Sequence, residues 1–174
     1  MTSRLQRRRF LETVSVTAVW LAGCTGEDGG DGGDGGERRS GADYPAVDEW
    51  LTETAIGDAD DTYDGTLVDE RDTGTLDIAV GSSGNGGNFA YDPSAVVVST
   101  GTTVRWNWTG EGGLHNVEAE PEEQLGESDY TFSSGEPVES SSEQFSRTLD
   151  RTGIALYHCE PHLSVGMKGG IAVE

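Results

Sequence analysis

An all-β sandwich of about seven or eight short strands, preceded by one short helix, is the fold predicted by this chain of 174 residues. Two features carry the expectation. From Gly74 onwards apolar residues recur with a period of two or in short continuous runs, as half-buried and fully buried strands require. Gly, Ser, Pro and acid-rich turns separate those runs at short intervals, the pattern of a sandwich rather than of helices alternating with strands. The length allows one domain with tails and not two full domains.

The helix comes first. After Tyr44, Val47, Trp50, Leu51 and Ala55 fall at spacings of three and four, one face of a helix. Leu76, Ile78 and Val80 then alternate, Ala95 to Val98 is a continuous apolar run, and Val104, Trp106 and Trp108 alternate with Thr103, Arg105 and Asn107. Further strands are expected at His115 to Ala119, Tyr130 to Phe132, Phe145 to Leu149, Ile154 to Cys159 and Gly170 to Val173. Trp106 and Trp108 are expected to pack in the core or at its rim, not to stack on a ligand.

Residues 1–23 read as an export signal. Thr2 to Arg9 carries four arginines and no acid, and the apolar run Phe10 to Ala22 is too short for a bilayer about 30 Å thick. Gln6-Arg7-Arg8-Arg9-Phe10-Leu11 resembles a twin-arginine signal, with Arg7 and Arg8 as the pair. Leu21-Ala22-Gly23-Cys24 resembles a lipobox, in which Cys24 becomes the lipid-modified first residue of an exported membrane lipoprotein. Residues 24–43, rich in Gly and Asp, are expected to be a flexible tether, and residues 44–174 the working domain.

Charge narrows the function. With 32 acidic against 11 basic residues and a net charge of -21, a nucleic-acid binder working by charge attraction is excluded. Lys168 is the single lysine, so the surface is nearly all acidic, a composition of proteins soluble in concentrated salt that points to a halophilic source. Glu118, Glu120, Glu122 and Glu123 read as solvated surface rather than a docking patch. Cys24 and Cys159 are too few for a disulfide framework.

The chemistry lies near the C-terminus, where Cys159, His162 and Met167 follow a predicted strand with the spacing Cys-x2-His-x4-Met. Thiolate, imidazole and thioether are soft to borderline donors, and two imidazoles with one thiolate and a weak axial Met suit copper in electron transfer. The second imidazole is expected from His115. His158 adjoins Cys159 on a strand, so the two side chains point to opposite faces, and His158 is expected to be an outward surface residue. Any one of these residues alone would more often be packing than ligand; their concentration on one turn makes the signal.

Tyr157-His158-Cys159-Glu160-Pro161-His162, Gly166-Met167-Lys168-Gly169-Gly170 and Gly110-Glu111-Gly112-Gly113-Leu114-His115-Asn116-Val117 resemble the halocyanins, plastocyanin-like blue copper proteins of halophilic archaea. The resemblance covers roughly residues 50–174. It implies a cupredoxin Greek-key β-sandwich holding one copper ion and shuttling single electrons, with His115, Cys159, His162 and Met167 as ligands. It also implies that Asn116 ties the first ligand segment to the Cys159 loop. The expected protein is therefore a monomeric electron carrier at the outer membrane face that meets redox proteins of the respiratory chain through the edge of His162, with Leu163 and Val165 excluding water.

Other classes fit less well. No nucleophile motif surrounds Cys159 for a hydrolase, a copper nitrite reductase would need further histidines, a dinuclear copper centre needs a second cysteine in the turn, and covalent haem needs Cys-x-x-Cys-His. A copper or zinc storage lipoprotein is the alternative, and redox cycling in a visible band separates it from an electron carrier.

Overall fold

A computed structural model describes residues 36–120, 122–142 and 144–174. Arg7, Arg8 and Cys24, with the expected signal and most of the expected tether, lie outside the described residues. Among those described, no helix is long and apolar enough to cross a membrane.

The domain is a two-sheet sandwich. One sheet orders β1 (Arg38–Ser40), β2 (Thr66–Asp69), β5 (Ala95–Val98), β9 (Lys168–Val173) and β8 (Gly153–His158); the other orders β4 (Gly87–Asp92), β3 (Thr75–Gly84), β6 (Thr103–Trp108) and β7 (Gln144–Thr148). Alternation becomes packing directly in β6, where Val104, Trp106 and Trp108 are buried and Thr103, Arg105 and Asn107 are not. Leu76, Ile78 and Val80 do the same in β3, which runs parallel to β6 with Ile78 opposite Trp106. The unbroken apolar run of β5 has a different cause: it lies between β2 and β9, parallel to both, and all its residues are buried. Each large apolar side chain so buried contributes about 1.5–3 kcal/mol.

Helix α1 (Pro45–Thr52) forms where expected, opened by Pro45 in its first turn, and buries Val47, Trp50 and Leu51. The Trp50 indole Nε1 donates to the carbonyls of Tyr157 and Gly169, both at 3.2 Å, which fastens α1 across the β8–β9 hairpin. That hairpin ends in the ligand turn.

Several expectations change. Residues 38–40, expected in the tether, form β1, whose partners are Thr66 to Val68 of β2; an arginine-rich edge strand carries no apolar alternation to reveal it. Strands β2 and β4 were not expected either. The segment 115–119 makes isolated bridges, His115 with Val138 and Glu118 with Ser133 and His158, and residues 130–132 form no strand. Between them lies a four-residue helix α2 (Glu122–Leu125).

Candidate metal centre

The fold brings His115, Cys159 and His162 together from two distant segments. Their donor atoms all lie within 4.8 Å of one another: Cys159 Sγ is 3.6 Å from His115 Nδ1 and 3.4 Å from His162 Nδ1, and the two Nδ1 atoms are 3.2 Å apart.

Each donor is aimed by its surroundings. His115 sits on a bridge to Val138 and is 1% exposed. Its Nε2 lies 2.9 Å from the Glu111 carbonyl, which can only accept, so Nε2 carries the proton and Nδ1 turns a lone pair towards Cys159 and His162. Gly112, at φ +80°, makes this fit possible, because a Cβ there would stand 2.7 Å from Nε2. Cys159 directly follows β8, as the residue before the next 3-10 helix, and its N–H donates to the Met167 carbonyl at 3.1 Å. His162 lies in the 3-10 helix Glu160–Val165, closed by Gly166 at φ +93°. Its carbonyl accepts from the Met167 N–H at 3.2 Å. Two backbone hydrogen bonds thus fold Met167, fully buried, back onto the segment that bears Cys159 and His162.

Asn116 joins the halves. Its Oδ1 accepts from the Glu160 N–H at 2.9 Å, and its Nδ2 donates to Glu160 Oε2 at 2.7 Å and to the Gly135 carbonyl at 3.2 Å. Phe89, on β4, stacks on the His162 ring with centroids 4.4 Å apart and an interplanar angle of 24°. The sequence offered no alternation around Phe89 to mark it; the Asn85-Gly86 pair before it, a hairpin signal, would have been the available clue.

Burial sets the protonation of the metal-free site. Desolvation pushes the Cys159 thiol up to about 11, against the lowering effect of the Asn116 and His162 N–H groups that point at it. Desolvation also lowers both His115 and His162, so the imidazoles stay neutral with lone pairs free. Two neutral imidazoles and a thiol converging in a largely buried site are the donor set of a soft or borderline cation, and copper fits it.

Three sequence expectations need correction. His158 does point away from Cys159, but it is 2% exposed, because α1 covers that face: Trp50 meets its ring edge-on at 6.3 Å. Its Nδ1 has no hydrogen-bond partner. Val165 is 38% exposed and Leu163 only half-buried, so the ring lying directly on the His162 face is Phe89. Glu118 is buried and accepts from the Glu120 N–H and the Ser133 hydroxyl.

Comparison with known proteins gives the family. Residues 78–174 match the family described as copper binding proteins, plastocyanin/azurin family, and the chain belongs to that family. Membership places it among blue copper proteins, which carry electrons and are not enzymes. At the level of individual proteins, it is 42% identical over 172 residues to the halocyanin of Natronomonas pharaonis, covering 98% of both chains. It is 31% identical over 99 residues to the plastocyanin of Scenedesmus fuscus, covering 56% of this chain and all of that one. Among solved structures, an oxidised amicyanin variant aligns with 27% identity and a TM-score of 0.43, over 60% of this chain and 87% of that one.

Proposed function

We propose that the protein is a mononuclear type 1 copper electron carrier in which His115, Cys159 and His162 would hold the ion and Met167 would add a weaker fourth donor. The convergence of three donor atoms within 4.8 Å in a largely buried site carries this reading. Bound copper supplies a one-electron copper(I)/copper(II) couple. The chain supplies a frame that resists rearrangement. Glu111 fixes His115, Asn116 locks the Glu160 turn, and the Cys159–Met167 and Met167–His162 backbone bonds close the ligand loop. Burial of Cys159 and His115 keeps water from the donors. His162 is the half-buried member of the set, on the turn that carries exposed Val165, and is the port through which an electron enters or leaves.

The reading extends to the N-terminus. Arg7 and Arg8 direct twin-arginine export, and a lipid on Cys24 holds the monomeric domain at the outer membrane face, where it passes electrons between redox proteins of the respiratory chain. The residue pattern and the similarity to halocyanin over nearly the whole chain support this.

An optical titration tests the site. The oxidised one-copper protein should absorb strongly near about 600 nm from thiolate charge transfer and bleach with ascorbate, and Cys159→Ser should lose the band. A colourless copper complex that ascorbate does not alter would leave metal storage as the better reading. For the anchor, Cys24→Ser should release folded protein from membranes, and unchanged retention would contradict lipidation.

A further inference from the structure

Asn85 lies far from the ligands in sequence, in a turn of the sheet opposite the one that Met167 leads into, yet its side chain is bonded into the ligand turn. It is the first residue of the two-residue turn between β3 and β4, at φ +56° with Gly86 at φ +79°, and only 9% exposed. A non-glycine residue held in the left-handed region has a local cost that surrounding contacts must offset. Here the contacts are numerous. Asn85 Nδ2 lies 3.1 Å from the Gly166 carbonyl, 2.8 Å from the Phe89 carbonyl and 3.2 Å from Asp60 Oδ1. Its Oδ1 accepts from the Asp61 N–H at 2.8 Å, and its own N–H donates to Asp61 Oδ1 at 2.6 Å.

One carboxamide therefore joins three segments: the loop at Asp60 and Asp61, the return strand β4 at Phe89, and the ligand turn at Gly166. The two ends it reaches bear on the site. Gly166 immediately precedes Met167, and a Cβ on it would run into the Ala59 carbonyl, so the turn is pressed against the same loop that Asn85 holds. Phe89 places its ring on His162.

We infer that Asn85 is a positioning residue for the copper site, fixing through Gly166 the approach of Met167 to the ion. This rests on the reading of Met167 as the axial ligand. A weak axial donor has no strong bond of its own to set its distance, so the backbone that carries it must do so.

Asn85→Gly tests the inference cleanly, because glycine takes φ +56° without strain and the change removes the carboxamide while sparing the turn. In the metal-free full-length protein, amide hydrogen exchange at Met167 should speed up, while the amides of Val96 and Val104 in the sheet centres stay protected. In the copper-loaded protein, Asn85→Gly should retain one copper and shift the reduction potential in the direction that Met167→Leu shifts it, by a smaller amount. Asn85→Asp, which keeps the acceptor for Asp61 but loses the donors, should behave alike. In a Met167→Leu background Asn85→Gly should produce no further shift, since the two act through one atom. A loss of stability with unchanged potential and unchanged Met167 exchange would overturn the inference and leave Asn85 a fold residue. An equal shift with and without Met167 would also overturn it. If Met167→Leu itself changes neither spectrum nor potential, the ligand reading is what fails.

Discussion

Glu53 and Lys168 form an ion pair whose two deletions should differ sharply. Lys168, the sole lysine, is fully buried beside the ligand turn, while the Glu53 side chain is 21% exposed. The ammonium donates to Glu53 Oε1 and to the Glu53 carbonyl, both at 2.9 Å, and sits 4.6 Å from the centre of the Trp50 ring. Glu53→Ala leaves a buried cation without its counter-charge, a change that costs about 3–5 kcal/mol. Lys168→Met removes the cation instead. The carboxylate it leaves can turn to water, so the loss reduces to one hydrogen bond and a cation–π contact, partly offset by the buried methionine, about 1–2 kcal/mol in all. The double variant should lose only about 1–2 kcal/mol more than Lys168→Met, for the Ala55 and Ile56 N–H bonds that Glu53 Oε2 accepts, giving a coupling of about 2 kcal/mol or more. Urea unfolding of the metal-free protein at neutral pH and fixed salt, followed by tryptophan fluorescence, reads these differences. Equal losses for the two single variants, or additive losses in the double, would refute the argument from unequal burial.

Asp69 accepts from Arg71 Nε and Nη2 and from Arg39 Nε, with Glu174 and Glu37 facing the same arginines, and these hydrogen bonds, Arg71's foremost, hold its carboxyl well below the usual range. A depressed folded-state value means the stabilisation is complete above the unfolded value of about 3.9 and disappears as pH falls below it; Asp69→Asn should flatten this part of the acid-unfolding curve, and an unchanged curve would contradict it. His158→Phe should keep the copper colour, because the side chain points away from Cys159. It should also leave stability equal or raised by up to about 1 kcal/mol, because it removes a buried nitrogen that has no partner; a large loss in thermal unfolding would show that His158 has a polar role.

How much of this was legible in the sequence depended on whether a residue's surroundings were local. Strand β6 could be read because Val104, Trp106 and Trp108 face one core, and α1 because Val47, Trp50 and Leu51 share one face. The grouping of Cys159, His162 and Met167 followed from spacing on one turn, and the choice of His115 from strand alternation at His158. The same alternation misled about exposure. It gives the direction of the His158 ring but not what lies there, and α1, more than a hundred residues earlier, fills that side through the Trp50 bonds to Tyr157 and Gly169. Strand β4 escaped notice because its apolar residues follow a Gly- and Asn-rich turn with no periodic run, so neither the Phe89 stacking nor the Asn85 hub could be seen. Both arise from contacts between segments that no single window contains.

X-ray absorption at the copper edge, on the one-copper protein in both oxidation states, tests the site most directly. Two nitrogen donors and one short sulfur donor should be present in each state, with distances that change little on reduction, and the short sulfur should vanish in Cys159→Ser. A copper ion surrounded by oxygen donors alone, or one that gains or loses a strong ligand when reduced, would contradict a rigid His115–Cys159–His162 electron-transfer centre.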